Sequence, residues 1–230
     1  MKRRTRNELY FERIGSDFDI FMSEYDVERR GILVSSLIPE SAPDRTLEVG
    51  CGTGAITEKY RDCVGDLLLT DISERLALEA AHRNNARGQA ENALSLSFPD
   101  NSFDLVISSE CVEHTPDPAR AVMEMIRVLK PGGHLVLTTP NRLWLPVVLA
   151  AKYFKIRRFQ GEECFLSIRK MRLAVSAGGG RLLCHTGCHL FPWQIPGMKP
   201  LLRVFDRYGD RLFRIMINQA VLVEKIDKAN

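Results

Sequence analysis

The stretch LEVGCGTG, residues 47–54, places three glycines within five positions, directly after a short apolar run. Glycine loses more backbone freedom on folding than any other residue, so it is costly inside regular structure. Gly50, Gly52 and Gly54 therefore predict a turn that needs a bare backbone, between a strand over 46–51 and a helix over about 55–62. Such a turn lets a ligand touch the backbone at the carboxyl edge of a parallel sheet.

Short apolar runs and helical patterns alternate from residue 46 to about residue 140, which predicts parallel βαβ units. Helices are predicted over 72–86, 117–130 and 166–179, with Ser73 and Asp117 as N-caps. Further strands are predicted over 66–71, 92–98, 103–109, 134–140, 181–187 and 219–226. The predicted fold class is α/β: a Rossmann-like, doubly wound, seven-stranded and mostly parallel sheet with helices on both faces.

Length and composition limit the kind of protein. A chain of 230 residues with 45% apolar and 27% charged residues fits one globular domain. The net charge of +3 is too small to indicate a nucleic-acid partner, and the pattern says nothing about oligomeric state. The basic N-terminus lacks the apolar stretch of a secretory signal, and the six cysteines have no framework spacing. We therefore expect free thiols and a cytoplasmic location.

Asp71 is the second landmark, because it ends the predicted strand 21 residues after Gly50. An acid at this point can bind both hydroxyls of a ribose. Dinucleotide-binding proteins use the spacing G-x-G-x-x-G, whereas this chain has G-x-G-x-G and Ala55 at the next position, which disfavours a nicotinamide-dependent dehydrogenase. A cofactor-binding module without catalysis stays open as an alternative.

Four segments, LEVGCGTG, LLLTD, LSFPDNSFDLVISSECVEHTPDP and VLKPGGHLVLTTPN, resemble the class I S-adenosylmethionine-dependent methyltransferases. They are most similar to the branch that includes the ubiquinone and menaquinone biosynthesis methyltransferases, and they lie between Thr46 and Asn141. The resemblance implies that the last strand is antiparallel and that the cofactor is S-adenosylmethionine, with S-adenosylhomocysteine as product. It further implies methyl transfer to oxygen, nitrogen or carbon of a small or lipid-like acceptor.

The resemblance also implies roles for single residues around the cofactor. Asp71 would hold the ribose hydroxyls, and Ile72 would cover one face of the adenine. Glu48 would anchor the methionine amine through water or backbone. Asn92 stands where the family often has Asp, so it would bond the adenine amino group as an uncharged amide. The complete predicted cofactor set is Tyr25, Arg29, Glu48, Gly50, Cys51, Gly52, Asp71, Ile72, Asn92, Ala93 and Ser109.

Candidate proton acceptors follow the strand over 103–109. His114 is the first candidate, since its ordinary pKa suits proton transfer near neutrality, and Glu110 is the second. Glu110, Glu113 and His114 reproduce a Glu-x-x-Glu-His pattern linked to a divalent cation in the catechol-methylating enzymes of the ubiquinone branch. The Glu-His pair is also common in members without metal, so we assign no metal ligand. Alternatively, Glu113 and His114 only fix the loop.

A second constellation is CHTGCH, residues 184–189. On a strand, Cys184 and Cys188 would point to one face and His185 and His189 to the other, so a closed zinc site would need a break in the strand. A histidine of this group lining the acceptor pocket is the milder hypothesis.

The chain is expected to form a single methyltransferase domain, residues 1–230. Residues 1–45 form an aromatic-rich N-terminal lid, in which Tyr25 and Arg29 approach the methionine carboxylate, with plain helix packing as the alternative. Residues 46–142 form the cofactor-binding core. Residues 143–217 contain the acceptor lid and the end of the sheet, and residues 218–230 contain the last strand.

The lid segment from Leu143 to Phe159 combines an apolar run with a basic margin. The run extends to Ala151 and includes Trp144, and it is too short to span a bilayer. The basic residues that follow are Lys152, Lys155, Arg157 and Arg158. This pattern is compatible with peripheral membrane contact, with cover for an apolar acceptor and with a packed lid helix.

Overall fold

The computed structural model describes residues 6–14, 23–40, 43–154, 163–192, 194–195 and 197–227. Three basic residues of the predicted lid segment, Lys155, Arg157 and Arg158, lie outside the described residues. Among the described residues, no helix is long and apolar enough to cross a membrane.

Seven strands form one sheet with the order β3-β2-β1-β4-β5-β7-β6. Their bounds are Arg45–Val49 for β1, Asp66–Asp71 for β2, Arg87–Ala90 for β3, Phe103–Ser109 for β4, Leu129–Pro140 for β5, Gly180–Cys188 for β6 and Asn218–Lys225 for β7. Strand β7 is antiparallel to both of its neighbours, and the pairs from β3 to β5 are parallel. The predicted fold class and the antiparallel last strand are therefore confirmed.

Eight α-helices are described around this sheet. Their bounds are Arg6–Ile14 for α1, Glu24–Leu37 for α2, Glu74–Arg83 for α3, Pro118–Val128 for α4, Leu145–Tyr153 for α5, Ile168–Ala177 for α6, Lys199–Phe205 for α7 and Gly209–Leu212 for α8. The predicted N-caps hold, because the side chains of Ser73 and Asp117 accept from backbone N–H groups in the first turns of α3 and α4.

Two sequence predictions in the core are wrong. Residues 55–62 form no α-helix but two 3-10 turns, Thr57–Lys59 and Arg61–Cys63, which flank Tyr60. Tyr60 departs from helical geometry with a φ of −129°, and its ring is buried. Residues 92–98 form no strand, because the Asn92 side chain accepts from Leu94 N at 2.9 Å and turns the chain. The third strand is β3 instead.

Apolar side chains cover both faces of the sheet. One cluster joins β1, β4, β5 and β7 to α4 and α6, and the other packs β2, β4, β5 and β7 against α2 and α3. On α3 the buried residues are Leu76, Ala77, Ala80 and Ala81, whereas Leu78 is 53% exposed. The helices thereby hold the carboxyl edge of the parallel strands in place.

Two insertions follow β5 and β6, and the second of them contacts α2. The connection from β5 to β6 carries α5 and α6, and the connection from β6 to β7 carries α7 and α8. The Trp144 indole donates to Ile215 O at 2.9 Å, which joins the two insertions, and the Arg29 guanidinium pairs with Asp206 at 2.8 Å, which joins α2 to the second. The carboxyl ends of β4 and β5 are thus enclosed on several sides.

Candidate active site

The turn after β1 has the backbone that its glycines predict. Gly50, Gly52 and Gly54 have φ values of 78°, 53° and 77°, all in the left-handed region. An L-residue with a Cβ loses roughly 1–2 kcal/mol in this conformation, which explains why glycine stands at all three positions. The N–H groups of Gly50 and Cys51 both donate to Thr70 O, at 2.8 and 3.0 Å, so the turn is tied to β2.

Asp71 lies beside the turn at the end of β2. Its Oδ2 accepts from Gly52 N at 3.1 Å, and its Oδ1 accepts from Ser73 N at 3.0 Å. Burial raises the pKa of this carboxyl, and the backbone donors oppose that shift. Each carboxylate oxygen keeps further acceptor capacity, so the group can also receive hydroxyl donors of a ligand. Ile72 follows it and is half-buried.

Glu48 and Cys51 are buried next to the turn. The Glu48 carboxyl accepts from Thr57 Oγ1 at 2.7 Å, and burial raises its pKa to about 7. Burial also raises the pKa of the Cys51 thiol, which makes this cysteine an unreactive packing residue. A Cβ at Gly50 would overlap the Cys111 side chain, so the turn packs tightly against the end of β4.

The segment after β3 brings Asn92 and Ala93 to the same edge. Glu91 N donates to Asp71 O at 2.9 Å, so this segment starts directly beside the predicted ribose acid. Asn92 is exposed and Ala93 is buried. Asn92 Oδ1 accepts from Leu94 N, and its second lone pair can still accept from an amino group.

The carboxyl end of β4 carries Ser108, Ser109 and Glu110. The Ser108 hydroxyl donates to Val49 O at 2.9 Å, and the Ser109 hydroxyl lies 3.0 Å from Thr138 Oγ1. Glu110 has a φ of 53°, and its two oxygens accept from Thr138 Oγ1 at 3.0 Å and from Asn218 Nδ2 at 2.8 Å. Burial raises the pKa of Glu110 to about 7, which suits a group that exchanges a proton near neutrality.

Glu113 and His114 lie in the 3-10 turn Val112–His114 that follows. The Glu113 carboxyl accepts from Thr139 Oγ1 at 3.1 Å, and burial raises its pKa well above the usual range. Thr138 and Thr139 are adjacent on β5 and therefore point to opposite faces, so Glu110 and Glu113 take hydrogen bonds from opposite faces of this strand. Within the described ranges, no group of three or more histidine, cysteine or acidic side chains has a metal-binding arrangement.

Helix α1 covers His114. The Asn7 side chain donates to His114 O at 2.6 Å, and the Phe11 ring meets the His114 ring edge-on with centroids 5.3 Å apart. Helix α1 thus packs onto the loop that carries the candidate proton acceptors, and its role as a lid stays a prediction.

Tyr25 and Arg29, predicted near the methionine carboxylate, contact the second insertion in this structure. The Tyr25 hydroxyl lies 3.5 Å from Lys199 O, and Arg29 is paired with Asp206. The neighbouring Arg30, which the sequence pattern did not single out, is buried and forms two hydrogen bonds with Asp26. A role of Tyr25 and Arg29 toward a cofactor stays a prediction.

The CHTGCH segment ends strand β6. His185 lies 3.3 Å from Gln219 Oε1 and stacks on Phe213, whereas Cys188 is buried on the opposite face. His189 does not follow the predicted alternation, because its φ of 62° turns the ring back toward Cys188 and Asn218. Its Nδ1 lies 3.2 Å from Asn218 Oδ1.

Comparisons with known proteins agree with this geometry. A family described as a methyltransferase domain matches residues 47–137. A ubiquinone biosynthesis O-methyltransferase from Coxiella burnetii is 31% identical over 157 residues, covering 64% of this chain and 67% of the relative. A demethylmenaquinone methyltransferase from Renibacterium salmoninarum is 33% identical over 137 residues, covering 55% of this chain and 58% of the relative.

Among solved structures, the Haloferax volcanii methyltransferase in complex with the Trm112 methyltransferase activator superposes with a TM-score of 0.72 at 18% identity. This superposition covers 98% of this chain and 100% of the other, and at such low identity it bears on the fold alone. The chain belongs to the class I S-adenosylmethionine-dependent methyltransferases, near the ubiquinone biosynthesis branch. It spans only 33% to 58% of the length of three other curated relatives that it matches.

Replacing Gly50 by alanine is expected to destabilise the fold through two separable effects. The left-handed φ costs roughly 1–2 kcal/mol, and the overlap with Cys111 adds about 1–3 kcal/mol. Gly132→Ala is a matched control, because Gly132 has a φ of 76° but nothing within 4 Å of its Cβ position. Denaturant unfolding of both variants measures the difference, and equal losses of stability would contradict the tight packing of the turn.

Proposed function

We propose that this protein transfers the methyl group of S-adenosylmethionine to a small or lipid-like acceptor. The observation that carries the proposal is the contact between Gly52 N and the Asp71 carboxylate, at the edge of a parallel sheet and within a turn of three left-handed glycines. Backbone exposed by glycine and an acid that can accept two hydroxyl donors fit a ligand with a ribose. Membership of the methyltransferase family supports the same ligand class.

The predicted cofactor residues fit this ligand around the turn. Gly50 and Gly52 leave room for the methionine part, Ser109 lies at the adjacent strand end, and Ile72 and Ala93 offer apolar contact for the adenine. Asn92 is kept as a contact to the adenine, through its amide and without charge. The sulfonium is already a strong electrophile, so the protein needs to align the acceptor, exclude water and take a proton where the acceptor has one.

We assign the role of proton acceptor to Glu110 and the role of orienting the acceptor molecule to His114. Both oxygens of Glu110 are held by fixed donors, and its pKa of about 7 lets it accept and release a proton near neutrality. His114 lies under α1, where it can hold the acceptor between the lid and the end of β4. This reverses the order of the two candidates that the sequence pattern favours.

The acceptor is proposed to be lipid-like, such as a quinol or phenol with an apolar tail. The names of two relatives contain ubiquinone and demethylmenaquinone, and these two compounds are lipids with a quinone ring. Helix α5 is described throughout its length, and none of its residues is buried, although its sequence LPVVLAAKY is almost entirely apolar. Val147 and Leu149 are 48% and 56% exposed, and Phe154 just beyond the helix is 68% exposed.

Peripheral membrane contact through α5 is part of the proposal. Exposure of an apolar helix to water is unfavourable, and its burial in a lipid surface lowers the free energy. The same lipid surface would also hold the acceptor. The charge of Lys152 is engaged internally, since its ammonium group pairs with the nearly buried carboxylate of Glu163 at 2.9 Å. The apolar side chains, rather than Lys152, should therefore determine this contact.

We also propose that residues 1–45 and 143–217 act as the lids over the acceptor.

Asp71→Asn should weaken binding of S-adenosylhomocysteine by about tenfold or more, because the ribose hydroxyls lose a charged acceptor. Asp66→Asn, on the same strand but exposed and paired with Arg87, should leave affinity unchanged. Isothermal titration calorimetry measures both variants. Unchanged affinity in Asp71→Asn would refute the ribose assignment, and tight binding of a nicotinamide dinucleotide would refute the ligand class.

Glu110→Gln should lower turnover roughly 10²-fold or more, since general-base catalysis typically contributes this much. His114→Ala should lower turnover less and should keep the pH dependence of the wild type. The affinity for S-adenosylhomocysteine should be nearly intact in both. If His114→Ala instead abolishes the pH dependence, the proton acceptor is His114.

Changing Val147, Leu149 and Phe154 together to serine should abolish co-sedimentation with vesicles of phosphatidylcholine and phosphatidylglycerol. The physical reason is the loss of exposed apolar area that would otherwise be buried in the lipid surface. Leu78→Ser on α3 is the control, because Leu78 is also exposed but lies far along the sheet from α5. Absence of vesicle binding by the unmodified protein would remove membrane contact from the proposal.

A further inference from the structure

Buried polar side chains connect the end of β4 to α2, β5 and β7, on the face of the sheet that packs against α2. Asp26 and Arg30 come from α2, Thr138 from β5 and Asn218 from β7. His189 joins them from the residue after β6. Glu110 accepts hydrogen bonds from two members of this group, Thr138 and Asn218.

Both the backbone and the side chain of Glu110 are held by hydrogen bonds. Its φ of 53° is uncommon for a residue with a Cβ, and its N–H donates to Thr138 O at 3.0 Å. Thr138 therefore holds this glutamate twice, through its carbonyl and through its hydroxyl at 3.0 Å from Oε1. Strained backbone that surrounding contacts over-determine is typical of functional positions.

Asn218 is oriented from both ends of its amide. An ionised carboxylate only accepts hydrogen bonds, so the Asn218 NH₂ group faces Glu110 Oε2 and the amide oxygen faces His189 Nδ1 at 3.2 Å. Because the Asn218 amide oxygen can only accept, its contact with His189 places the imidazole proton on Nδ1. Burial lowers the pKa of His189, which favours the neutral ring. A chain of donors thus runs from His189 through Asn218 to Glu110.

The neighbouring glutamate is held in a different way. Glu113 bonds Thr139 on the opposite face of β5, away from Asn218 and α2. The two glutamates at the end of β4 therefore have separate partners, and only one of them is connected to α2 and β7 among the residues that the structure describes.

We propose that Asn218 and Thr138 are positioning residues that hold the Glu110 carboxylate as the proton acceptor for methyl transfer to a hydroxyl acceptor. This inference rests on the proposed function. In the step, the hydroxyl oxygen forms a bond to the methyl carbon while the carbon–sulfur bond breaks and its electron pair stays on sulfur. The hydroxyl proton passes to Glu110, which later releases it to water, and the products are a methyl ether and S-adenosylhomocysteine.

Charged and titratable groups face Glu110 from every element packed against it. The Arg30 cation favours its ionised form, whereas Asp26, also on α2, and the nearby Glu113 oppose it, and Cys188 and His189 approach from the end of β6. The donors Thr138 and Asn218 favour the ionised form. Removing either donor should therefore raise the pH at which Glu110 ionises.

Thr138→Val and Asn218→Leu remove one donor each at nearly constant volume, and Thr138→Ser restores the hydroxyl. The matched control is Thr139→Val, which removes the donor to Glu113 from the opposite face. Turnover is measured against pH with an alkyl catechol as the probe acceptor, together with the KM for S-adenosylmethionine. Infrared titration of the protonated carboxyl band, with S-adenosylhomocysteine bound, reports the same group without turnover, and Glu110→Gln identifies its band.

In Thr138→Val and Asn218→Leu, the acidic limb of the turnover profile should move up by about one pH unit, and turnover at pH 7 should fall roughly fivefold. The KM for S-adenosylmethionine should stay within about twofold, and Thr138→Ser and Thr139→Val should follow the wild type. An equal shift of the acidic limb in Thr139→Val would overturn the proposal. So would Thr138→Val and Asn218→Leu variants in which neither the acidic limb nor the infrared titration midpoint moves. If no methyl ether forms while the infrared midpoint shifts as expected, the positioning stands and the proposed reaction fails.

Discussion

Two backbone hydrogen bonds from the glycine turn to the carbonyl of Thr70 determine where this site lies. They continue the parallel register in which Val49 pairs with Thr70, and they bring the turn beside the last residue of β2. Asp71 can therefore accept from Gly52 N across the strand ends. A side chain at Gly50 would collide with Cys111, so the same turn also sets the distance between β1 and the end of β4. Ligand contact and core packing both depend on the missing Cβ atoms.

The other half of the site depends on the alternation of side chains along β5. Thr138 and Thr139 point to opposite faces, and each bonds one of the two buried glutamates that follow β4. The face of the sheet that carries Thr138 packs against α2, and Arg30, Asn218 and His189 supply charge and hydrogen bonds there. The proposed division of labour, with Glu110 taking a proton and His114 orienting the acceptor under α1, follows from this separation. It also explains why the glutamate spacing in the sequence does not produce a shared metal site within the described residues.

Local sequence signals predicted the elements that are long, apolar and capped. Strands β2 and β4 lie where the pattern placed them because each is a continuous, mostly apolar run. Helices α3 and α4 do so because each has an apolar face and a clear N-cap. The prediction failed where a side chain competed with the backbone or where burial overrode helical spacing. Asn92 turned a predicted strand into a loop, and the buried ring of Tyr60 separates two 3-10 turns in place of a helix. The prediction from side-chain alternation failed for His189. Strand β6 ends at Cys188, and the left-handed φ of His189 turns its ring away from the predicted face.

The sequence by itself determined the glycine turn, the acid that ends the second strand and most of the strands and helices from β1 to β5. These features depend on backbone conformation and on periodicity, which act over a few residues. Only the tertiary structure decided which arginine of α2 is buried, which glutamate after β4 faces that helix, and which amide holds the glutamate. Glu110 and Asn218 are 108 residues apart in the chain and meet because β7 inserts antiparallel beside β5. Contacts of this kind depend on strand order and on the face to which each side chain points, and no local pattern contains that information.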